Sequence, residues 1–293
     1  MMLPPRTIRK SLAEGVALGA AYRLELPREA MRGKTGGRLG FSAGSSLDFH
    51  DYREYHPGDD LRHLDWGVYA RSDREVVKMF REEVEPKVDI VLDVSSSMAL
   101  EDTGKGMAAL RLASAIAVAS RNASAVPRLY TAGTSLSAVE TMAGTSPEGW
   151  RLADFGVPCH PWEALASSAP LRLRSLRVLV SDLMWECEPT PVLRRLADGA
   201  SALFVVQLLA VSEEAPPERG QYRLEDVETG NTADVFVDAE AIEAYKANLA
   251  AHRERWSRAC LACGAVFAAL ADVDVAVGGR LSALERAGLL SGV

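Results

Sequence analysis

The segment from Val88 to Met98 carries the densest chemistry in the chain. A β-forming run, Val88 to Leu92, ends on Asp93, and Ser95 and Ser97 follow at alternate positions. One carboxylate and two hydroxyl oxygens spaced this way can converge on a single point. Hard oxygen ligands with little total charge suit Mg²⁺ or Mn²⁺, ions that keep waters and leave a coordination position open to an outside group. A second run, Leu176 to Ser181, closes on Asp182. With the two runs side by side as strands, Asp182 reaches the same rim, directly or through water. Either acid alone is equally well explained as a helix cap or turn former. Asp93, Ser95, Ser97 and Asp182 together point to a metal.

Those four residues need a scaffold that brings two strand ends together. Both runs are short, apolar and rich in Val and Leu, as buried parallel strands are. From Val88 onward, strands and helices alternate. The pattern predicts helices over Lys105–Asn122, Pro191–Asp198 and Ala239–Cys263, the last amphipathic. It predicts strands over Val126–Ala132, Ser135–Val139, Leu176–Ser181, Ala202–Leu209 and Ala265–Leu270, with a hairpin excursion inside 213–238. That rhythm specifies an α/β fold with a doubly wound, Rossmann-type, mostly parallel sheet, which binds ligands beyond the carboxyl ends of its strands. Residues 1–35 read as a helical, basic arm, and 36–87 as a small β-rich lobe with a turn at His56 to Asp60. Residues 88–275 form the main domain and 276–293 a C-terminal helix or tail.

Composition narrows the function classes. Hydrophobic residues at 48% and charged residues at 25% are ordinary for a globular protein. With 33 Lys/Arg against 40 Asp/Glu the net charge is −7, which excludes broad nucleic-acid binding. Eight Lys/Arg fall within residues 1–38, a basic stretch read as a solvated terminus. The longest apolar runs, such as Ala202 to Val211, are far short of the ~20 residues a spanning helix needs, so no integral membrane segment is expected. Four cysteines without a disulfide framework suit a reducing compartment, and the expected location is cytoplasmic.

Other motifs carry less. Thr103 to Gly106 looks like half a phosphate-binding loop, but Ala99 stands where the first glycine belongs and Gly106 replaces the Ser/Thr. Cys260 and Cys263 share a helix face in an Ala-rich stretch, which favours core packing over zinc. No G-x-S-x-G elbow surrounds Ser95 to Ser97. His160 as a base beside Asp93 or Asp182 is the distant alternative of a metal-assisted hydrolase. Trp150, Trp162 and Trp185 fall near the expected metal face, either packed under loops or serving as interface anchors. Arg53, Arg62 and Arg71 with Asp59, Asp60 and Asp65 could form an internal charge network in the lobe.

Asp93-x-Ser95-x-Ser97 after a buried strand resembles the metal-ion-dependent adhesion site of von Willebrand factor type A domains. The segment from Tyr52 to Trp66, with Pro57-Gly58-Asp59-Asp60 at its centre, is followed by Ala70-Arg71 and later by Leu224 to Gly230. In that order the segments resemble the signature of the domain of unknown function 58 family, whose A-like domain is degenerate. The resemblance spans roughly residues 40–270. It implies a non-enzymatic interaction module that works with a MoxR-type AAA+ ATPase, or with that ATPase's client, in assembling or activating other proteins. A partner carboxylate would complete the metal shell. Asp93, Ser95 and Ser97 match the first loop and Asp182 the third. The second-loop threonine has no counterpart around Pro158, Cys159 and His160, and Thr145 is the nearest substitute.

Overall fold

A computed structural model describes residues 3–27, 48–59, 61–81, 85–100, 103–140, 146–152, 155–167, 171–215, 217–276 and 278–293. The chain divides into two compact units, Met1–Ala30 with Pro86–Val293, and Met31–Glu85. The larger unit opens with α1 (Pro5–Gly19) and β1 (Tyr22–Leu24). The smaller contains β2 (Asp48–Glu54), α2 (Trp66–Ser72) and β3 (Val76–Arg81). The larger then resumes with β4 (Lys87–Asp93), α3 (Lys105–Asn122), β5 (Val126–Ala132), β6 (Leu136–Ala138), α4 (Pro161–Ser167), β7 (Leu176–Ser181), α5 (Pro189–Ala197) and β8 (Ala202–Leu209). It ends with α6 (Val211–Glu214), β9 (Gly220–Glu225), β10 (Thr232–Val237), α7 (Ala239–Ala262), β11 (Val266–Ala271), α8 (Ser282–Arg286) and β12 (Leu290–Gly292).

Six strands make the central sheet in the order β11-β8-β7-β4-β5-β6, parallel except for the edge strand β6. The expected mixed α/β architecture with a mostly parallel sheet is therefore present. Strand β4 sits inside the sheet and buries both faces. Ile90 and Leu92 join the core under α1 and α3, while Val91 joins a second core with Leu193, Leu196 and Trp256. Period-two alternation sends successive side chains to opposite faces, so a continuous apolar run is what a doubly covered strand requires. From β4 the chain steps to β5 on one side and returns to β7 on the other. The strand order thus reverses between β4 and β7, where an open α/β sheet leaves a crevice at its carboxyl edge.

Helix α1 lies in the main unit, its backbone against α3. Ile8, Leu12, Gly15 and Gly19 form its buried face. A Cβ on Gly15 would stand 2.3 Å from the Arg111 carbonyl oxygen and 2.7 Å from Ser114 Cβ. Glu14 pairs with Arg111 at 2.6 Å, and the Ser114 hydroxyl donates to the Leu12 carbonyl at 2.8 Å. Gly15→Ala tests this contact. Alanine favours the helix itself by about 1 kcal/mol. The methyl must nevertheless push α1 off α3, and a net loss of about 1–3 kcal/mol is expected in thermal unfolding. A gain would show that the helices are not in backbone contact.

The C-terminal stretch differs from a simple helix or tail. Its helix, α8, is five residues long. After Gly288, in the left-handed region at φ 71°, the chain turns into β12, which pairs antiparallel with β1. Leu281, Leu284, Leu289 and Leu290 are all buried, and this apolar content drives the last residues back onto the core.

In the smaller unit, β2 and β3 pair antiparallel, with α2 in the connection between them. Gly58 at φ 106° makes the turn that brings Asp59 to Arg53, at 2.7 Å, and to the His56 amide, at 2.9 Å. Asp65 caps α2 by accepting from the Gly67 and Val68 amides, and it also accepts from the Tyr52 hydroxyl and Lys78. Burial of Asp65 opposes ionisation, but these donors outweigh it and bring the carboxyl down to about 2. The Arg53–Asp59 part of the expected network is present. Asp65 is held by Tyr52 and Lys78, and Asp60 lies outside the described residues.

Candidate functional site

Asp93 is the last residue of β4, and Ser181, the last of β7, lies beside it one register step beyond the Leu92–Val180 pair. One carboxylate oxygen of Asp93 accepts from the Ser95 amide at 2.9 Å and the Ser95 hydroxyl at 2.6 Å. The other accepts from the Ser181 hydroxyl at 2.6 Å and the Trp185 indole N–H at 3.2 Å. The Ser95 and Ser97 hydroxyl oxygens are 3.1 Å apart. Asp93 and Ser95 are buried and Ser97 half-buried, so the serine oxygens lead outward from the acid. Burial, and then the negative charge of Asp182, push the Asp93 carboxyl up to about 7, against the hydrogen bonds from Ser181 and Ser95.

Asp182 begins the loop after β7 at the same edge of the sheet, but its charge faces elsewhere. One oxygen lies 2.9 Å from the Lys105 ammonium, and the other accepts from the Met184 amide at 3.1 Å. Lys105 opens α3, is fully buried, and makes a second ion pair with Glu213 at 2.6 Å. Burial alone would lower its pKa, yet the two carboxylates raise it, so Lys105 is a fixed positive charge. Glu213 in turn accepts from the Ala210 amide at 2.7 Å, and Gln207 joins the Asp182 carbonyl to Arg253. The lysine of the half phosphate-binding loop is thus a buried counter-ion. Its neighbour Gly106 is small because a Cβ there would lie 2.8 Å from the Met98 carbonyl oxygen.

The loop at Pro158 to His160 reaches the site through its backbone. The Cys159 amide donates to Glu228 at 2.8 Å, and the Ser97 amide donates to the other Glu228 oxygen, also at 2.8 Å. Thr145 lies outside the described residues. His160 is exposed and its carbonyl accepts from the Glu163 amide at the start of α4. Burial, then the charges of Asp93 and Glu228, push the Cys159 thiol up to about 12, which leaves it no thiolate at neutral pH. Trp185 is buried and meets Trp256 edge-on at 5.6 Å, and Trp150 is buried as well. Cys260 is buried among apolar neighbours, its thiol also pushed up to about 12 by burial.

The fold therefore brings Asp93, Ser95 and Ser97 into one hydrogen-bonded cluster. It places Asp182 at the same edge on Lys105. Among the described residues, no group of three or more His, Cys, Asp or Glu is arranged to hold a metal ion. Sequence reasoning placed Trp185 near this face without its bond to Asp93, and it missed Ser181, Lys105 and Glu228. Two signals were available: the lone lysine at the head of α3 and the Asp226-x-Glu228-Thr-Gly turn.

Comparison with known proteins finds a match over residues 51–255 to the family described as "Protein of unknown function DUF58". The uncharacterized proteins Rv1480 of Mycobacterium tuberculosis and Mb1516 of Mycobacterium bovis are each 27% identical over 305 residues, covering 99% of this chain and 96% of theirs. Among solved structures, one similar chain is the conserved hypothetical protein BatB from Bacteroides thetaiotaomicron, 13% identical with a TM-score of 0.36, covering 69% of this chain and 98% of that one. Another is an aerotolerance-related membrane protein from Bacteroides fragilis, 14% identical with a TM-score of 0.34, covering 68% and 98%. Among the described residues no helix is long and apolar enough to cross a membrane. With its family match extending over most of the chain, this protein belongs to the DUF58 family.

Proposed function

We propose that this protein is a non-enzymatic interaction module of von Willebrand A-like type, working in the cytoplasm with a MoxR-type AAA+ ATPase or its client. Its docking face is the rim where β4 and β7 end. The observation that carries this reading is the cluster of Asp93, Ser95 and Ser97 at the point where the strand order reverses. The thiol beside it is held protonated and the nearby histidine faces solvent, an arrangement suited to binding rather than nucleophilic attack. The partner class rests on the resemblance of the Tyr52–Trp66 and Leu224–Gly230 segments.

Asp93, Ser95 and Ser97 fit Mg²⁺ or Mn²⁺: one carboxylate with two hydroxyl oxygens beside it, one of them toward solvent. The ion would supply a position for a partner's carboxylate. Asp182 enters such a shell only by exchanging its Lys105 partner, and the ammonium repels a divalent cation. That ion pair favours a second reading, a metal-free scaffold using the same face. Calorimetry on chelator-stripped protein separates them. Saturable Mn²⁺ binding that Asp93→Ala removes supports the metal-dependent module. Absence of binding in both proteins, with partner capture unaffected by chelator, establishes the scaffold.

A further inference from the structure

The β9–β10 hairpin is a separate two-stranded sheet whose side chains are mostly exposed, with Phe236 at 68% and Leu224 at 49%. Such ribbons have little stability of their own. Its base is anchored at the buried Val237 and at Asp238, which caps α7. Its turn is stiff. Asp226 accepts from the Glu228 amide at 2.9 Å and the Thr229 hydroxyl at 2.7 Å, its carbonyl accepts from the Gly230 amide at 2.7 Å, and Gly230 takes φ 73°. This geometry serves one outward contact. The half-buried Glu228 lays its carboxylate across the Ser97 and Cys159 amides, 2.8 Å from each.

We infer that this pair of amides is a carboxylate seat occupied by the chain's own Glu228, and that an acidic peptide segment of a partner docks here by displacing the hairpin tip. The inference rests on reading this rim as the docking face, and it needs no metal. Two N–H donors aimed at one carboxylate make strong, charge-assisted bonds. Ser97 gives its amide to the seat and its hydroxyl to the rim, so the seat adjoins those oxygens. An internal carboxylate on a stiff turn competes at high effective concentration, so the resting protein resists casual acidic ligands. Residues 224–227 and 229–231 around Glu228 are exposed, so a partner that also grips the hairpin can remove the tip.

The test uses ¹⁵N NMR of the full chain in chelator, following the Ser97 and Cys159 amides while hexaglutamate peptide is added, with hexaglutamine as control. In Glu228→Ala the peptide is expected to shift both amides saturably, and hexaglutamine to leave them still. Wild-type protein is expected to need at least roughly tenfold more peptide. Glu228→Gln keeps the side-chain size but turns one acceptor into a donor facing an N–H. It is expected to behave like the alanine variant and to speed hydrogen exchange across 226–231. Unmoved amides in both folded variants, or equal affinity in wild type and Glu228→Ala, would overturn the inference. Because chelator is present throughout, either result is independent of whether Asp93, Ser95 and Ser97 bind Mn²⁺.

Discussion

Lys105→Met is expected to cost on the order of 3–5 kcal/mol of folding stability, read as a lower urea midpoint with unchanged slope. The side chain is fully buried, and it is the cation facing both Asp182 and Glu213. Removing it leaves the Asp182 carboxylate, 1% exposed, with the Met184 amide as its one remaining hydrogen-bond donor among the described residues. Glu213 is 20% exposed and can recover water, so the penalty falls mainly on Asp182. The double variant Lys105→Met with Asp182→Asn is expected to regain more than half of the loss. Asparagine can still accept from Met184, and no buried charge is stranded. A single-variant cost under about 1 kcal/mol would mean water reaches the pair, as at a surface salt bridge. The same variant bears on the metal. With the ammonium gone, Mn²⁺ is expected to bind more tightly than in wild type, and unchanged affinity would place Asp182 outside any shell.

The parts of this protein legible in its sequence are those encoded by local pattern. Val88 to Leu92 and Leu176 to Ser181 read as buried strands because both faces of each are covered, which demands unbroken apolar runs. Asp93, Ser95 and Ser97 were legible because two-residue spacing in one loop is itself a geometric constraint. What stayed hidden depends on partners distant in the chain. Ser97 meets Glu228 across 131 positions, and Lys105 meets Asp182 across 77. Local pattern marks the lysine and the turn but not the partner each one meets, since a lysine or glutamate reads alike whether solvated or buried. Helix α7 is a milder case. The expected amphipathic face is present, with Ile242, Leu249, His252 and Ala259 half-buried on it, but full burial comes only at Trp256 and Cys260 near the end. Strand β12 was missed for a related reason. Three residues pairing with β1 across the whole chain carry no periodicity to read.

Asp93 should make the protein less stable as pH rises through neutrality. Its ordinary value is 3.8 and the folded carboxyl titrates at about 7, raised by burial and by Asp182. Between those values the folded state keeps a proton that the unfolded chain has released, so folding takes up a proton and stability declines with pH. A shift of this size corresponds to a loss on the order of 4 kcal/mol, complete by about pH 8. Asp65 has the opposite sign in a separate window. Its lowered value stabilises above 3.8 and is lost as pH falls toward 2. Urea unfolding in chelator at pH 5 and pH 8, wild type against Asp93→Asn, isolates the effect. The variant has no titrating group there, but it sets an amide donor against donors from Ser95, Ser181 and Trp185. It should therefore be the less stable protein at pH 5 and match or exceed wild type at pH 8. Parallel curves would mean that Asp93 is already ionised at pH 5. Repeating the series in Mg²⁺ connects the titration to the rim. A cation held by Ser95, Ser97 and Asp93 favours the carboxylate, so bound Mg²⁺ should flatten the wild-type slope and leave Asp93→Asn unchanged.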